Sequence, residues 1–120
     1  MNRNSILIVD DEKLIIKSLK INLSREGFDV STAETVDQAL AIIQSKHIDI
    51  ILSDYLIGSN TGAYLTEKAK EIQPDARIII FSGHKDPPAI EKTLALGADL
   101  FISKPFDLET LLKIIASLHE

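Results

Sequence analysis

Three short stretches of the chain are apolar almost without interruption: Ile6-Leu7-Ile8-Val9, Ile48-Asp49-Ile50-Ile51-Leu52 and Arg77-Ile78-Ile79-Ile80-Phe81. Runs of this length suit strands buried on both faces, as in a parallel sheet covered by helices. Residues 28–33 differ, because Phe28, Val30 and Thr32 alternate with Asp29 and Ser31. That alternation predicts a less buried strand at a sheet edge. Leu100-Phe101-Ile102 predicts a short fifth strand.

Between these runs the apolar spacing becomes helical. Ile15, Leu19 and Leu23 recur every four residues, and Gly27 follows as a stop. Thr35 and Gln38 carry a capping-box signature ahead of Ala39, Leu40 and Ile43. Leu65, Ala69 and Ile72 predict a third helix ended by Pro74, and Pro87-Pro88 begin a fourth that runs through Ile90 and Leu94 to Gly97. Asp107 caps a fifth, with Leu108, Leu111, Leu112, Ile115 and Leu118 on its apolar face. The order is β-α five times, and right-handed crossovers place helices on both sides of one parallel five-stranded sheet. Strand order 2-1-3-4-5 is predicted, since it puts the alternating second strand at an edge and the apolar first, third and fourth inside. Without repeats, linkers or low-complexity stretches, residues 1–120 read as one doubly wound α/β domain.

Composition narrows the function classes. At 120 residues the chain can bury a core without staples, and the absence of cysteine excludes disulfides and thiolate metal sites. That suits a reducing cytoplasm. Met1 to Ser5 is short and polar, and the apolar run after it is too brief for a signal peptide or membrane span. A net charge of −5 argues against direct binding to nucleic acid. Any action on DNA would need another domain or another protein.

In open parallel sheets ligands bind beyond the carboxyl ends of the strands, so the polar residues closing each apolar run are informative. These are Asp10-Asp11, Ser53-Asp54, Ser82-Gly83 and Ser103-Lys104-Pro105. The predicted strand order brings three carboxylates together, with a hydroxyl and an ammonium alongside. Clustered carboxylates repel one another and call for a counter-charge, which Mg²⁺ supplies as a hard, oxygen-seeking cation. Lys104 offers a mobile positive charge for a phosphoryl oxygen, and Ser82 offers a hydroxyl donor. One carboxylate could then attack phosphorus, and Asp54 is the best placed because it closes the central strand. Each residue also has an ordinary explanation: Asp10 and Asp11 as a helix cap, Asp54 and Ser82 as turn residues, Lys104 as a solvated loop lysine. Their joint placement at four strand ends favours the chemical reading.

Taken together, the chain resembles the receiver domains of two-component response regulators over nearly its whole length. The matching stretches are Ile8-Val9-Asp10-Asp11-Glu12, Leu52-Ser53-Asp54, Phe81-Ser82-Gly83, Gly97-Ala98-Asp99 and Lys104-Pro105-Phe106, with Gly62 before the third helix. The resemblance implies a flavodoxin-like fold. It implies Asp54 as phosphoacceptor, charged from the phosphohistidine of a histidine kinase or histidine phosphotransfer domain. It implies Mg²⁺ on Asp11, Asp54 and the backbone carbonyl of Leu56, with Asp10 acting mainly through a metal-bound water. Ser82 and Lys104 match the positions that contact phosphoryl oxygens, Phe101 matches the switch aromatic, and Lys104-Pro105 matches a typically cis peptide. A surface of the fourth helix, fifth strand and fifth helix would signal to a downstream effector, and the domain would not turn over a separate substrate. Two departures stand out. Ile57-Gly58 replaces a frequent Met-Pro, and Leu56 and His84 occupy the positions that tune loss of the phosphoryl group. His47 and His119 lack partners at metal-ligand spacing and are read as surface residues.

Other classes remain open at this point. An aspartyl-nucleophile phosphatase would need a second acid two residues beyond Asp54, where Leu56 stands. A flavin-phosphate binder would need a Ser/Thr/Gly-rich loop where Asp10-Asp11 stands. A scaffold that does not use phosphorylation would share the fold alone.

Overall fold

Alternate residues of each central strand feed two separate hydrophobic cores. In the computed structural model, which describes residues 5–118, the strands are β1 (Ser5–Val9), β2 (Asp29–Ala33), β3 (Ile50–Asp54), β4 (Leu56–Ile57), β5 (Asn60–Thr61), β6 (Arg77–Ser82) and β7 (Leu100–Ser103). The helices are α1 (Lys13–Arg25), α2 (Val36–Ser45), α3 (Gly62–Ile72), α4 (Pro87–Ala95) and α5 (Leu108–Leu118). Leu7, Val9, Ile51, Ile78 and Ile80 pack with Ala39, Ile43, Leu65 and Ala69 of α2 and α3. Ile6, Ile8, Ile50, Leu52, Ile79 and Phe81 pack with Leu23, Leu111 and Ile115 of α1 and α5. This two-sided burial is why those strands carry continuous apolar runs.

One parallel sheet runs in the order β2-β1-β3-β6-β7. It is the predicted order, with the alternating strand at one edge. The short pair β4-β5 forms a separate antiparallel ribbon between β3 and α3. Its strands, two residues each, hold too little pattern to read in the sequence.

Helix ends follow local chemistry. The Gln38 amide donates to Thr35 Oγ1 at 3.1 Å, and Gln38 Oε1 accepts from the Glu34 amide at 2.8 Å, so the reciprocal arm lands one residue before the cap. The Thr110 amide donates to Asp107 Oδ1 at 2.7 Å, which holds the Asp107 carboxyl below the usual range.

Three helical faces differ from expectation. α1 packs Ile16, Leu19 and Leu23 inward rather than Ile15, Leu19 and Leu23. Steps of four residues drift by about 40° each on a helix of 3.6 residues per turn, whereas alternating steps of three and four hold one face. On α3 and α4, Ile72 and Leu94 are exposed, and the buried position of α4 is Thr93, whose hydroxyl donates to the Ala89 carbonyl at 2.7 Å.

At the end of the sheet away from Asp54, carboxylates pin strand starts. Asp49 Oδ2 accepts from the Ser5 amide and hydroxyl, each at 3.0 Å, and Oδ1 lies 2.8 Å from the exposed His47 Nε2. Burial pushes this carboxyl up, but the hydrogen bonds from Ser5 and His47 outweigh it and leave it lowered. Asp99 accepts from the Ile78 amide at 2.8 Å and from Arg77 at 3.2 Å. His119 lies outside the described residues.

Candidate functional site

The carboxyl ends of β1, β3 and β7 meet at one spot. Asp10 follows the last residue of β1 and is fully buried, because the chain turns sharply there and Asp10 Oδ1 accepts the Glu12 amide at 2.8 Å. Asp54 ends β3, the central strand, with its side chain 14% exposed. Lys104 follows β7 and reaches back: its Nζ lies 3.2 Å from Asp54 Oδ2, 3.7 Å from Asp10 Oδ2 and 3.9 Å from Glu12 Oε1. The Lys104–Pro105 peptide is cis.

Carboxylate oxygens of Asp10, Glu12 and Asp54 lie within 4.8 Å of one another. Asp10 Oδ2 is buried and has no hydrogen-bond partner. Burial raises the Asp10 carboxyl above the usual range; the Glu12 amide and the Lys104 ammonium pull it down, and the Asp54 and Glu12 carboxylates push it up. An orphaned buried carboxylate oxygen beside two more acids is a donor set that fits a hard divalent cation.

Glu12 is the member of this cluster that sequence reasoning did not single out. Its signal was the Asp-x-Glu spacing after a buried strand, where the Asp10 turn brings the third residue back over the strand end. Asp11 stands apart from the cluster. It is exposed, and its Oδ2 accepts the Gly58 amide at 3.0 Å, tying the β4-β5 ribbon to the start of α1.

The remaining residues line the same end of the sheet. Ser82 is buried at the tip of β6, and its Oγ accepts the His84 amide at 3.1 Å, leaving its proton free to donate. His84 itself is exposed. Phe101 is half-buried, with its ring centroid 5.9 Å from that of Tyr55, the residue after Asp54. Leu56 is in β4, with its side chain exposed. Gly62 opens α3 directly behind the acceptor strand: its amide donates to the Tyr55 carbonyl at 2.6 Å, and a Cβ there would stand 3.2 Å from the Asp54 carbonyl oxygen. No helix among the described residues is long and apolar enough to cross a membrane.

The chain has many relatives of known kind. The family model for the response regulator receiver domain matches residues 6–116. The chain is 29% identical over 110 residues to the transcriptional regulatory protein GlrR of Escherichia coli K12, covering 92% of this chain and 25% of that protein. It is 34% identical over 104 residues to the phosphate regulon transcriptional regulatory protein PhoB of Pseudomonas aeruginosa, covering 85% of this chain and 45% of that one. The chain therefore spans a quarter to under half of these relatives. Among solved structures, a CheY-like receiver domain protein from Methanospirillum hungatei JF-1 superposes with a TM-score of 0.92 at 33% identity, covering 95% of this chain and 91% of that one. A response regulator from Burkholderia pseudomallei, solved with a phosphorylated aspartic acid, calcium ion and citrate, superposes at 0.86 with 28% identity over 91% of this chain and 64% of that one. With the sheet order, the strand-end acids and these matches in agreement, the chain belongs to the response regulator receiver domain family of two-component signalling.

Proposed function

We propose that this receiver takes a phosphoryl group onto Asp54 from the phosphohistidine of a histidine kinase or a histidine phosphotransfer domain, with Mg²⁺ held at the acidic cluster. The observation that carries this reading is the 3.2 Å contact between Lys104 Nζ and a carboxylate at the tip of the central strand, beside a buried Asp10 oxygen with no hydrogen-bond partner. An Asp54 oxygen forms the new P–O bond as the P–N bond to imidazole breaks. The electron pair of that bond stays with the ring nitrogen, which takes a proton from solvent. Bound at the cluster, Mg²⁺ would neutralise the acids and contact the phosphoryl oxygens.

The chain's own residues do the rest. Lys104 follows the charge as it moves from carboxylate to phosphoryl oxygen. Ser82 donates its free hydroxyl proton to the same group. Asp10, Asp11, Asp54 and the Leu56 carbonyl would hold the cation, with Asp11 keeping one carboxylate oxygen clear of its bond to the Gly58 amide. Glu12 joins them as an outer acid. Phe101 closes inward when Ser82 moves, and the α4-β7-α5 face passes the change to an effector. The whole of residues 1–120 acts as one such switch in the cytoplasm, with no turnover of a separate substrate.

The test is labelling with acetyl phosphate and Mg²⁺, followed by intact mass. The parent should gain one phosphoryl group and Asp54→Asn should gain none. Equal labelling of both would remove Asp54 from this role.

A further inference from the structure

We propose that Phe81 is a positioning residue for Lys104, holding its ammonium over an aromatic face so that it stays at the acceptor as charge moves there. The inference rests on the reading of Asp54 as phosphoacceptor and adds to it a residue that acts through Lys104.

Lys104 Nζ sits 5.2 Å from the centroid of the Phe81 ring. Attraction between an ammonium and a ring face operates within about 6 Å and strengthens when water is excluded. Water is largely excluded here: Phe81 is fully buried, and the Lys104 side chain is 21% exposed. The carboxylates of Asp54, Asp10 and Glu12 lie 3.2 to 3.9 Å from the ammonium, so the ring adds a fourth, uncharged contact. Beside Lys104 a groove of about 360 Å³ is walled by Leu14, Ile15, Leu19, Phe81 and Phe106, with Ser18 as its one hydroxyl. Within that wall it is the Phe81 ring that the ammonium lies over.

The ring is also anchored to the acceptor. Phe81 pairs with Asp54 across β3 and β6, and its carbonyl accepts the Tyr55 amide at 2.9 Å. Phe106 packs against it edge-on, with centroids 5.4 Å apart and planes at 61°. Lysine is a flexible chain with many rotamers, whereas this ring and Asp54 belong to one rigid strand pair. Phosphorylation turns the Asp54 carboxylate into an acyl phosphate and redistributes the charge that Lys104 faces. The ring contact does not change in that step, so it keeps the ammonium in reach throughout.

Replacing Phe81 by its 4-fluoro, 3,5-difluoro and 3,4,5-trifluoro analogues weakens the negative ring face stepwise while hardly changing shape. Two readouts follow: the rate of labelling by acetyl phosphate with Mg²⁺, and the NMR order parameter of Lys104 Cε in the metal-free protein. The labelling rate should fall stepwise, by roughly threefold or more at the trifluoro ring. The Lys104 order parameter should fall in the same sequence, and the melting temperature should stay level. Flat order parameters and equal rates across the series would overturn the proposal and leave Phe81 as packing. Order parameters that fall while the parent itself fails to label would instead overturn the phosphoacceptor reading and keep the Phe81–Lys104 contact. Asp54→Asn, run beside the series, reports on that reading alone.

Discussion

Lys104 Nζ lies 3.2 Å from Asp54 Oδ2, so the side chain assigned to stabilise phosphoryl oxygens already neutralises the acceptor before any phosphate arrives. The same ammonium is within 4 Å of Asp10 and Glu12, which makes it a competitor for the acids that a cation would use. Lys104→Met should therefore bind Mg²⁺ more tightly yet label more slowly, by roughly a hundredfold, the scale of losing one charge-stabilising donor. Mg²⁺ titration followed by tyrosine fluorescence reads the first effect, since the chain has no tryptophan and Tyr55 adjoins Asp54. Weaker Mg²⁺ binding in the variant would show that Lys104 organises the acids rather than competing for them.

Asp10 makes stability depend on pH in the metal-free protein. Burial raises its folded pKa above the unfolded value, so the folded state holds the proton more strongly. Stability is then lost as pH rises from the ordinary aspartate range through the folded pKa, and the full penalty applies above it. Asp10→Asn keeps the oxygen that accepts the Glu12 amide and removes the buried charge. In denaturant titrations without metal the variant should be more stable than the parent near neutral pH, and the difference should vanish in acid. Saturating Mg²⁺ should reverse the ranking, because a ligand at 100 times its Kd stabilises by about 2.7 kcal/mol and the variant binds it poorly.

Asp49 carries the opposite sign at the far end of the sheet. Its folded pKa is lowered, so its contribution is present above the unfolded value and is lost as pH falls through the folded one. Asp49→Asn should cost about 1.5–3 kcal/mol at neutral pH, the range for hydrogen bonds to a charged group, and progressively less in acid. Labelling at Asp54 should be unchanged, which separates a strand staple from a site residue.

How far such features were legible depended on how local their causes are. The sheet order followed from contrasting patterns, the continuous runs at residues 6–9 and 77–81 against the alternation at 28–33, because burial on two faces and burial on one face select different residues. Strand ends then placed Asp10, Asp54 and Lys104 together. The direction each carboxylate faces was not legible. Asp11 turns to the Gly58 amide and Glu12 turns into the cluster, and both depend on a chain reversal held by one Asp10 hydrogen bond. The Ser5–Asp49 staple joins residues 44 apart, and no periodicity records it.

Gly62 touches the acceptor through its backbone. A Cβ there would meet Ile80 Cδ1 at 3.1 Å, the Asp54 carbonyl oxygen at 3.2 Å and Tyr55 Cα at 3.3 Å, and two of these are main-chain atoms at the end of β3 and just after it. Gly62→Ala should destabilise by about 1 kcal/mol despite the better helix propensity of alanine, and it should slow labelling by shifting Asp54. Chemical denaturation and the labelling rate check the two parts separately.

The central claim is that an acyl phosphate forms on one side chain. Borohydride reduction after incubation with acetyl phosphate and Mg²⁺ converts an acyl-phosphorylated aspartate to homoserine, which peptide mass spectrometry can place in the chain. The account predicts homoserine at position 54 and at no other aspartate. Homoserine at Asp10 or Asp11, or none at all in protein that has taken up phosphate, would contradict it.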